Sequence, residues 1–396
     1  MHQTVQPVRV LYSFPHKIGA DRICYTAWQQ VRGLAAAGAD IIVYPGVLHR
    51  PLPYGVRVVP TLAWGHLRIS YKLVGRMRAC AWHDFIVSKR LRKLAGKIDI
   101  VHTWPLGARR TLRSAARLGM RTVLERPNAH TRFAYEAVQR ECLRIGVPLP
   151  SGHEHQYNPA VLAKEEEEYL LADGLLCPSD FVVKTFRDQG FAASKLFRHI
   201  YGFDDKRFFT DSAPRDPKRG LTMISVGVCA VRKGLHFALE AWLKSPASRD
   251  GTFLIAGAFI PEYQKKLAPL LSHPSVRVLG HRHDVPELMR QSDILVLASV
   301  EEGSALATSE GRASGCVLLV SEASGAICEH MQNALVHEVG NVESLAQHIT
   351  LLNDDRTLLE RLRAASLRTV HEITWNAAGV KLLQAYREVL EARPTP

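Results

Sequence analysis

The chain has 396 residues, 46% hydrophobic and 22% charged, with a formal net charge of +13. That is long enough for about two domains with their own cores, and it excludes a disordered or low-complexity protein. No run approaches the roughly 18 apolar residues of a membrane span. The seven cysteines form no CxxC pair, so neither a disulfide framework nor a zinc site is indicated. The start, MHQTVQPVRVLYSF, lacks the pattern of a signal peptide, and a reducing cytoplasm is expected.

In chain order, short β-branched runs alternate with amphipathic stretches. The first, VRVLYS (8–13), leads into FPHKIGADRICYTA and a helical stretch over 26–38. Gly19 in that loop is either an ordinary tight turn or a place where backbone amides approach an anion at a helix start. A second strand is expected at 40–44. Residues 66–97 then carry nine Lys/Arg against one acid, Asp84, with Trp82 and Phe85 among them. This is either a solvated helical face or a surface for an anionic membrane, a phosphorylated acceptor or nucleic acid, the aromatic residues favouring the membrane. No nucleic-acid-binding pattern accompanies the charge, so no specific nucleic acid is expected.

Further strands are expected at 98–102, 121–125 and 174–179. The stretch DSAPRDPKRG (211–220) reads as a linker. Beyond it come strands at 221–227, 252–257, 275–280, 293–299 and 316–321. Continuous apolar runs mark strands buried on both faces of a parallel sheet, so each half is expected to be an α/β, doubly wound, Rossmann-like domain. Ligands of such sheets bind outside the carboxyl ends of the strands, in a cleft expected where two tandem domains face each other.

The residues just past each strand therefore matter most. After 221–227 come Arg232 and Lys233, directly before Gly234 and a helix. Two cations beside helix amides suit a diphosphate, although solvated surface cations are the plainer alternative. After 275–280, backbone groups of Leu279, Gly280 and His281 are placed to read a base. His281 with His283, and His153 with His155, lack a third ligand, and no metal site is expected. After 293–299, Glu302 and Glu310 are suited to hold vicinal hydroxyls, and the amides of Gly303, Ser304, Ala305 and Leu306 to meet a phosphate.

VGVCAVRKGLHFALEAW, GHRHDVPELMRQSDILVLASVEEGSALATSEGRASG and LVSEASGA resemble retaining nucleotide-sugar glycosyltransferases of family 4, two-domain proteins of the GT-B fold. The resemblance extends to 165–191, 201–208 and ITWNAAGVKLLQAYREVL (373–390), similar to the family's final helix crossing back to the first domain. It implies an acceptor domain over 1–210, a nucleotide-sugar donor domain over 211–372 and a returning helix over 373–396. It further implies that Glu302 holds the donor sugar, Glu310 the ribose, and Arg232 and Lys233 the diphosphate with help near Gly19. His130, in LERPNAHTRF, matches a histidine beside the transferred sugar; a structural loop histidine is the alternative. A hexosyltransferase-type enzyme without metal or other cofactor is implied. It would act on a glycan or lipid-linked acceptor in cell-envelope or polysaccharide synthesis, in the cytoplasm or peripherally on the inner membrane face.

The chain departs from the family pattern at Ser304 and Ala305, where Phe-Gly is usual, at Gly311 and Arg312 within Ser-Glu-Gly-Arg-Ala, and at Val228, where arginine is frequent. These replacements motivate a second expectation, a weak or inactive nucleotide-sugar-binding protein of the same fold.

Overall fold

The computed structural model describes residues 6–64, 67–69, 71–210 and 219–392. Most of the expected linker, 211–218, lies outside the described residues, as do the side chains of Arg68 and Lys72 in the basic stretch. The chain divides into two units: Met1–Thr131 with Asn158–Tyr201 and Trp375–Pro396, and Arg132–Tyr157 with Gly202–Thr374.

The first unit is built on strands β1 (Arg9–Ile18), β2 (Asp40–Leu48), β3 (Arg57–Val58), β6 (Ile100–Thr103), β7 (Arg121–Glu125), β8 (Gly174–Cys177) and β9 (Leu196–Arg198), with a separate hairpin of β4 (Ala63–Trp64) and β5 (Leu67–Arg68). The seven form one parallel sheet in the order β3-β2-β1-β6-β7-β8-β9. Val10, Leu11, Tyr12, Ser13 and Phe14 are all fully buried, which is why this segment reads as a continuous rather than an alternating apolar run. β1 runs five residues past its expected end at 13, to Ile18, because a register irregularity between Phe14 and Lys17 lets it rejoin β2.

The last helix, Trp375–Glu391, packs within this unit against the helix Ile23–Ala36. The crossing is made by two glycines: a Cβ on Gly379 would lie 2.2 Å from the carbonyl carbon of Gly33. Leu382, Leu383, Tyr386 and Val389 complete the core around Val10, Tyr12 and Val123.

The second unit holds β10 (Thr222–Val226), β11 (Thr252–Ala256), β12 (Val276–Gly280), β13 (Ile294–Leu297), β14 (Val317–Ser321) and β15 (Ala334–His337), a parallel sheet in the order β12-β11-β10-β13-β14-β15. In both sheets the order reverses beside the first strand, the switch point where ligands of such folds sit.

Within the expected first domain, 1–210, residues 132–157 and 202–210 cluster with the second unit. The helix Thr131–Ile145 buries Val138 and Cys142, one turn apart, and the following Val147 joins the same core as Leu239, Trp242 and Phe253. The Glu141 carboxylate also lies 2.7 Å from Nε2 of His236. Sequence periodicity shows that such a helix is amphipathic; it does not show which core its apolar stripe enters.

Candidate functional site

At the switch point of the second sheet, β10 and β13 lie side by side and their trailing loops meet. Gly234 makes the meeting possible. It has φ 63°, and a Cβ there would lie 1.8 Å from the Ala298 oxygen. A residue with a side chain would hold the loop off β13; glycine lets it settle. The Val300 amide then donates to the Arg232 oxygen at 2.8 Å, stitching the two loops together.

Side chains follow the backbone. Arg232 Nη1 lies 3.0 Å from Glu302 Oε2, and Lys233 Nζ pairs with Glu302 Oε1. The same Nη1 donates to the Glu301 main-chain oxygen at 2.9 Å and lies 3.4 Å from Glu301 Oε2. Glu301 is fully buried and Glu302 nearly so. Burial alone would raise the Glu302 pKa, but Arg232 and Lys233 hold it below the usual carboxylate range against the opposing charge of Glu301. Burial works against the Arg232 charge in turn, and Glu302, Glu301 and Glu154 outweigh it, raising its pKa.

The structure thus brings together Arg232, Lys233 and Glu302. It adds Glu301, which the sequence did not single out, and His155, which the sequence offered only as half of a metal pair with His153 that lacked a third ligand. His155 Nε2 lies 3.1 Å from Glu301 Oε2, with the ring nearly buried. Glu301 carries a faint sequence signal, standing beside Glu302; His155 carries none, being 146 residues away.

Glu310 sits half-buried in the helix Leu306–Ala313. Its pKa is pushed up to about 7 by burial, with Arg207 pulling it down and Asp204 pushing it up. The Ala305 amide donates to the Ser324 oxygen at 3.3 Å. Leu306 opens the helix, and no side chain caps it. Leu279 and Gly280 end β12, an edge strand; His281 beyond them is exposed, its ring 5.0 Å from that of His283.

The family departures at Gly311 and Arg312 are accommodated within the helix Leu306–Ala313. A Cβ on Gly311 would lie 2.8 Å from Leu295 Cδ1, so the glycine seats the helix on β13. The buried Arg312 donates to Ser366 Oγ at 2.9 Å, Thr369 Oγ1 at 2.7 Å and the main-chain oxygens of Ile327 and Ser366. Its charge is met by directed acceptors rather than left exposed to an apolar surround. Val228 is 44% exposed and follows Gly227 at the end of β10.

In the first unit, the Gly19 amide donates to the Cys24 oxygen at 2.9 Å, and a Cβ on Gly19 would lie 2.8 Å from Arg50 Cβ. Gly19 is there a tight turn, its N–H already used. His130 is buried, with its ring 5.1 Å from Tyr169 and 5.0 Å from Phe186, and its amide donates to Thr185 Oγ1 at 3.1 Å. That is the setting of a packed structural histidine.

The basic stretch forms the helix Arg76–Arg90 and the turn Leu91–Leu94. Ala79, Cys80, His83 and Val87 are buried, whereas Met77 and Trp82 are exposed beside Arg76, Arg78 and Lys89. Asp84 is turned inward, accepting from the amides of Arg110 and Thr111 at 2.9 and 2.8 Å, so its charge does not offset the outer face. Among the described residues, no helix is long and apolar enough to cross a membrane, and no group of three His, Cys, Asp or Glu could hold a metal ion.

Residues 220–355 match the family described as Glycosyl transferases group 1. A stretch of 124 residues, 31% of this chain and 33% of the other, is 30% identical to the N,N'-diacetylbacillosaminyl-diphospho-undecaprenol alpha-1,3-N-acetylgalactosaminyltransferase of Campylobacter jejuni. Over 83 residues, 20% of this chain and 21% of the other, it is 30% identical to the UDP-Gal:alpha-D-GlcNAc-diphosphoundecaprenol alpha-1,3-galactosyltransferase of Escherichia coli. The chain thus matches a third or less of the length of these curated relatives. Among solved structures, sucrose-phosphate synthase from Thermosynechococcus elongatus superposes with a TM-score of 0.68 at 16% identity, covering 98% of this chain and 100% of that one. This likeness identifies the fold as the GT-B type expected from the sequence.

Proposed function

We propose that this chain, whose residues 220–355 match the family described as Glycosyl transferases group 1, transfers a hexose-type sugar from a nucleoside-diphosphate sugar to an acceptor hydroxyl. The observation that carries this is the pairing of Arg232 and Lys233 with Glu302 at the strand ends of β10 and β13.

In that cluster each cation already has a counter-charge. An arriving diphosphate takes the place of the Glu302 carboxylate on Arg232 and Lys233, and the freed carboxylate accepts from hydroxyls of the sugar. Each cation thereby keeps an anionic partner before and after the donor binds. As the bond from sugar to diphosphate breaks, negative charge grows on the leaving group. Preorganised cations stabilise that growth more than they stabilise the bound donor. The helix opening at Leu306, uncapped by a side chain, offers first-turn amides to a phosphate. Glu310 would accept from the ribose. Retained configuration, by same-face attack assisted by the leaving phosphate, follows the family resemblance, and Arg232 and Lys233 supply the positive charge without a metal cofactor.

The curated relatives are named for acceptors carrying diphospho-undecaprenol, which supports a lipid-linked glycan acceptor here. The exposed Met77 and Trp82 beside cations fit reversible contact with an anionic membrane, on the cytoplasmic side where nucleotide sugars are available.

The test is release of nucleoside diphosphate from UDP-, GDP- and ADP-sugars, with and without a diphospholipid-linked sugar. Acceptor-dependent release of one diphosphate supports transfer. Failure to bind any nucleoside diphosphate overturns the proposal. Binding without transfer or hydrolysis favours the second reading, an inactive binding protein, which the exposed Val228 and the engaged Ala305 amide motivate.

A further inference from the structure

Glu301 is the most enclosed member of the cluster, with no exposed surface. A buried carboxylate persists only where its charge and lone pairs are met. His155 meets it from one side, with Nε2 at 3.1 Å from Oε2. An ionised carboxylate only accepts, so the ring donates through Nε2. Arg232 meets it from the other, through the same Nη1 that bonds the Glu301 main-chain oxygen. His155 is itself held, its amide donating to His153 Nδ1 at 3.2 Å. The adjacent glutamates therefore differ: Glu302 spans Arg232 and Lys233, whereas Glu301 spans Arg232 and His155.

We propose that Glu301, clamped by His155, is a positioning residue for Arg232: it keeps the guanidinium in place when Glu302 turns to the sugar, and its charge limits how tightly the free diphosphate is held. This rests on the donor reading above. A cation with no remaining partner would have to be reordered at each turnover; one still tied to Glu301 is ready for the developing charge. A retained counter-charge also weakens binding of the diphosphate product, which favours its release.

The experiment titrates the intact protein calorimetrically with UDP, GDP and ADP, alongside turnover and melting temperature. Glu301→Gln keeps the shape and removes the charge. Its Kd for the diphosphate bound by the parent is expected to fall roughly tenfold, the effect of a charge worth about one pK unit, while kcat falls at least as far. His155→Leu, which leaves Glu301 charged but unclamped, is expected to lower kcat with KM for the donor little changed. His155→Gln, retaining an N–H donor, is expected to recover most of that loss. Unchanged or weaker diphosphate binding in Glu301→Gln overturns the proposal, as does a loss in His155→Leu that tracks melting temperature and is not rescued by glutamine. A parent protein that binds none of the three diphosphates overturns the donor reading itself.

Discussion

Gly234 and Ala298 are in backbone contact: the position a Cβ would take on Gly234 is 1.8 Å from the Ala298 oxygen. That contact docks the Arg232–Lys233 turn on the end of β13, and the ion pairs with Glu302 depend on it.

Gly234→Ala is therefore expected to cost about 2–4 kcal/mol of stability and to abolish nucleoside-diphosphate binding in the protein that remains folded. Gly38→Ala is the control. It also has a positive φ, of 89°, but nothing lies within 4 Å of its Cβ position. It should cost only the roughly 1–2 kcal/mol of a left-handed alanine and leave binding intact. Denaturant unfolding and calorimetric titration measure both; equal losses in the two variants would mean that the docking contact has no special part.

Arg232→Ala and Lys233→Ala should reduce turnover by on the order of a hundred- to a thousandfold, as when a donor is lost from an oxyanion site. They should differ in stability. Arg232→Ala strips buried Glu301 and Glu302 of a shared cation and should lower the melting temperature. Lys233→Ala leaves Arg232 on both and should lower it less. Near-parental turnover in both variants would remove the diphosphate assignment.

The two predicted glutamates separate by ligand and by pH. Glu302→Ala should spare nucleoside-diphosphate binding and harm the sugar nucleotide, whereas Glu310→Ala should weaken both. The Glu310 pKa is raised to about 7 in the folded protein from an ordinary value of 4.5. The folded state thus binds this proton more tightly than the unfolded one. Its stabilising effect is complete below about pH 4.5 and is lost as pH rises through 7. Glu310→Gln should accordingly melt higher than the parent at pH 8, with the gain disappearing toward pH 4.5. A gain that is the same at both pH values would contradict the raised carboxyl.

Vesicle co-sedimentation tests the basic face. Recovery with anionic but not neutral vesicles is expected, declining with salt as each cation near the surface contributes about 1 kcal/mol at low salt. Trp82→Ala with Arg76→Glu and Arg78→Glu, all on exposed positions, should abolish recovery without lowering the melting temperature. Unchanged recovery would leave that face as simply solvated.

Much of this was legible from the chain alone. Runs such as DILVLAS and CVLLVS announced buried parallel strands because a strand covered on both faces has no polar side to display. Arg232, Lys233 and Glu302 were legible because strand–loop–helix punctuation puts them at strand ends, where doubly wound folds bind ligands. Other features waited on the tertiary structure. The stripe of Val138 and Cys142 carries no label for the core it enters, so the grouping of residues 132–157 with the second unit was not legible. How the Arg312 charge is met was not legible, because its acceptors come from Ile327, Ser366 and Thr369, up to 57 residues away. For Gly19 the sequence left a tight turn and an anion loop open, because the bond that uses its amide appears only when the turn closes onto Cys24. The contact of His155 with Glu301 was not legible, because the two lie 146 residues apart in sequence. Local pattern determines which segments become strands and which residues follow them; burial and partnership between distant segments decide which charges are met, and only the folded chain makes those contacts.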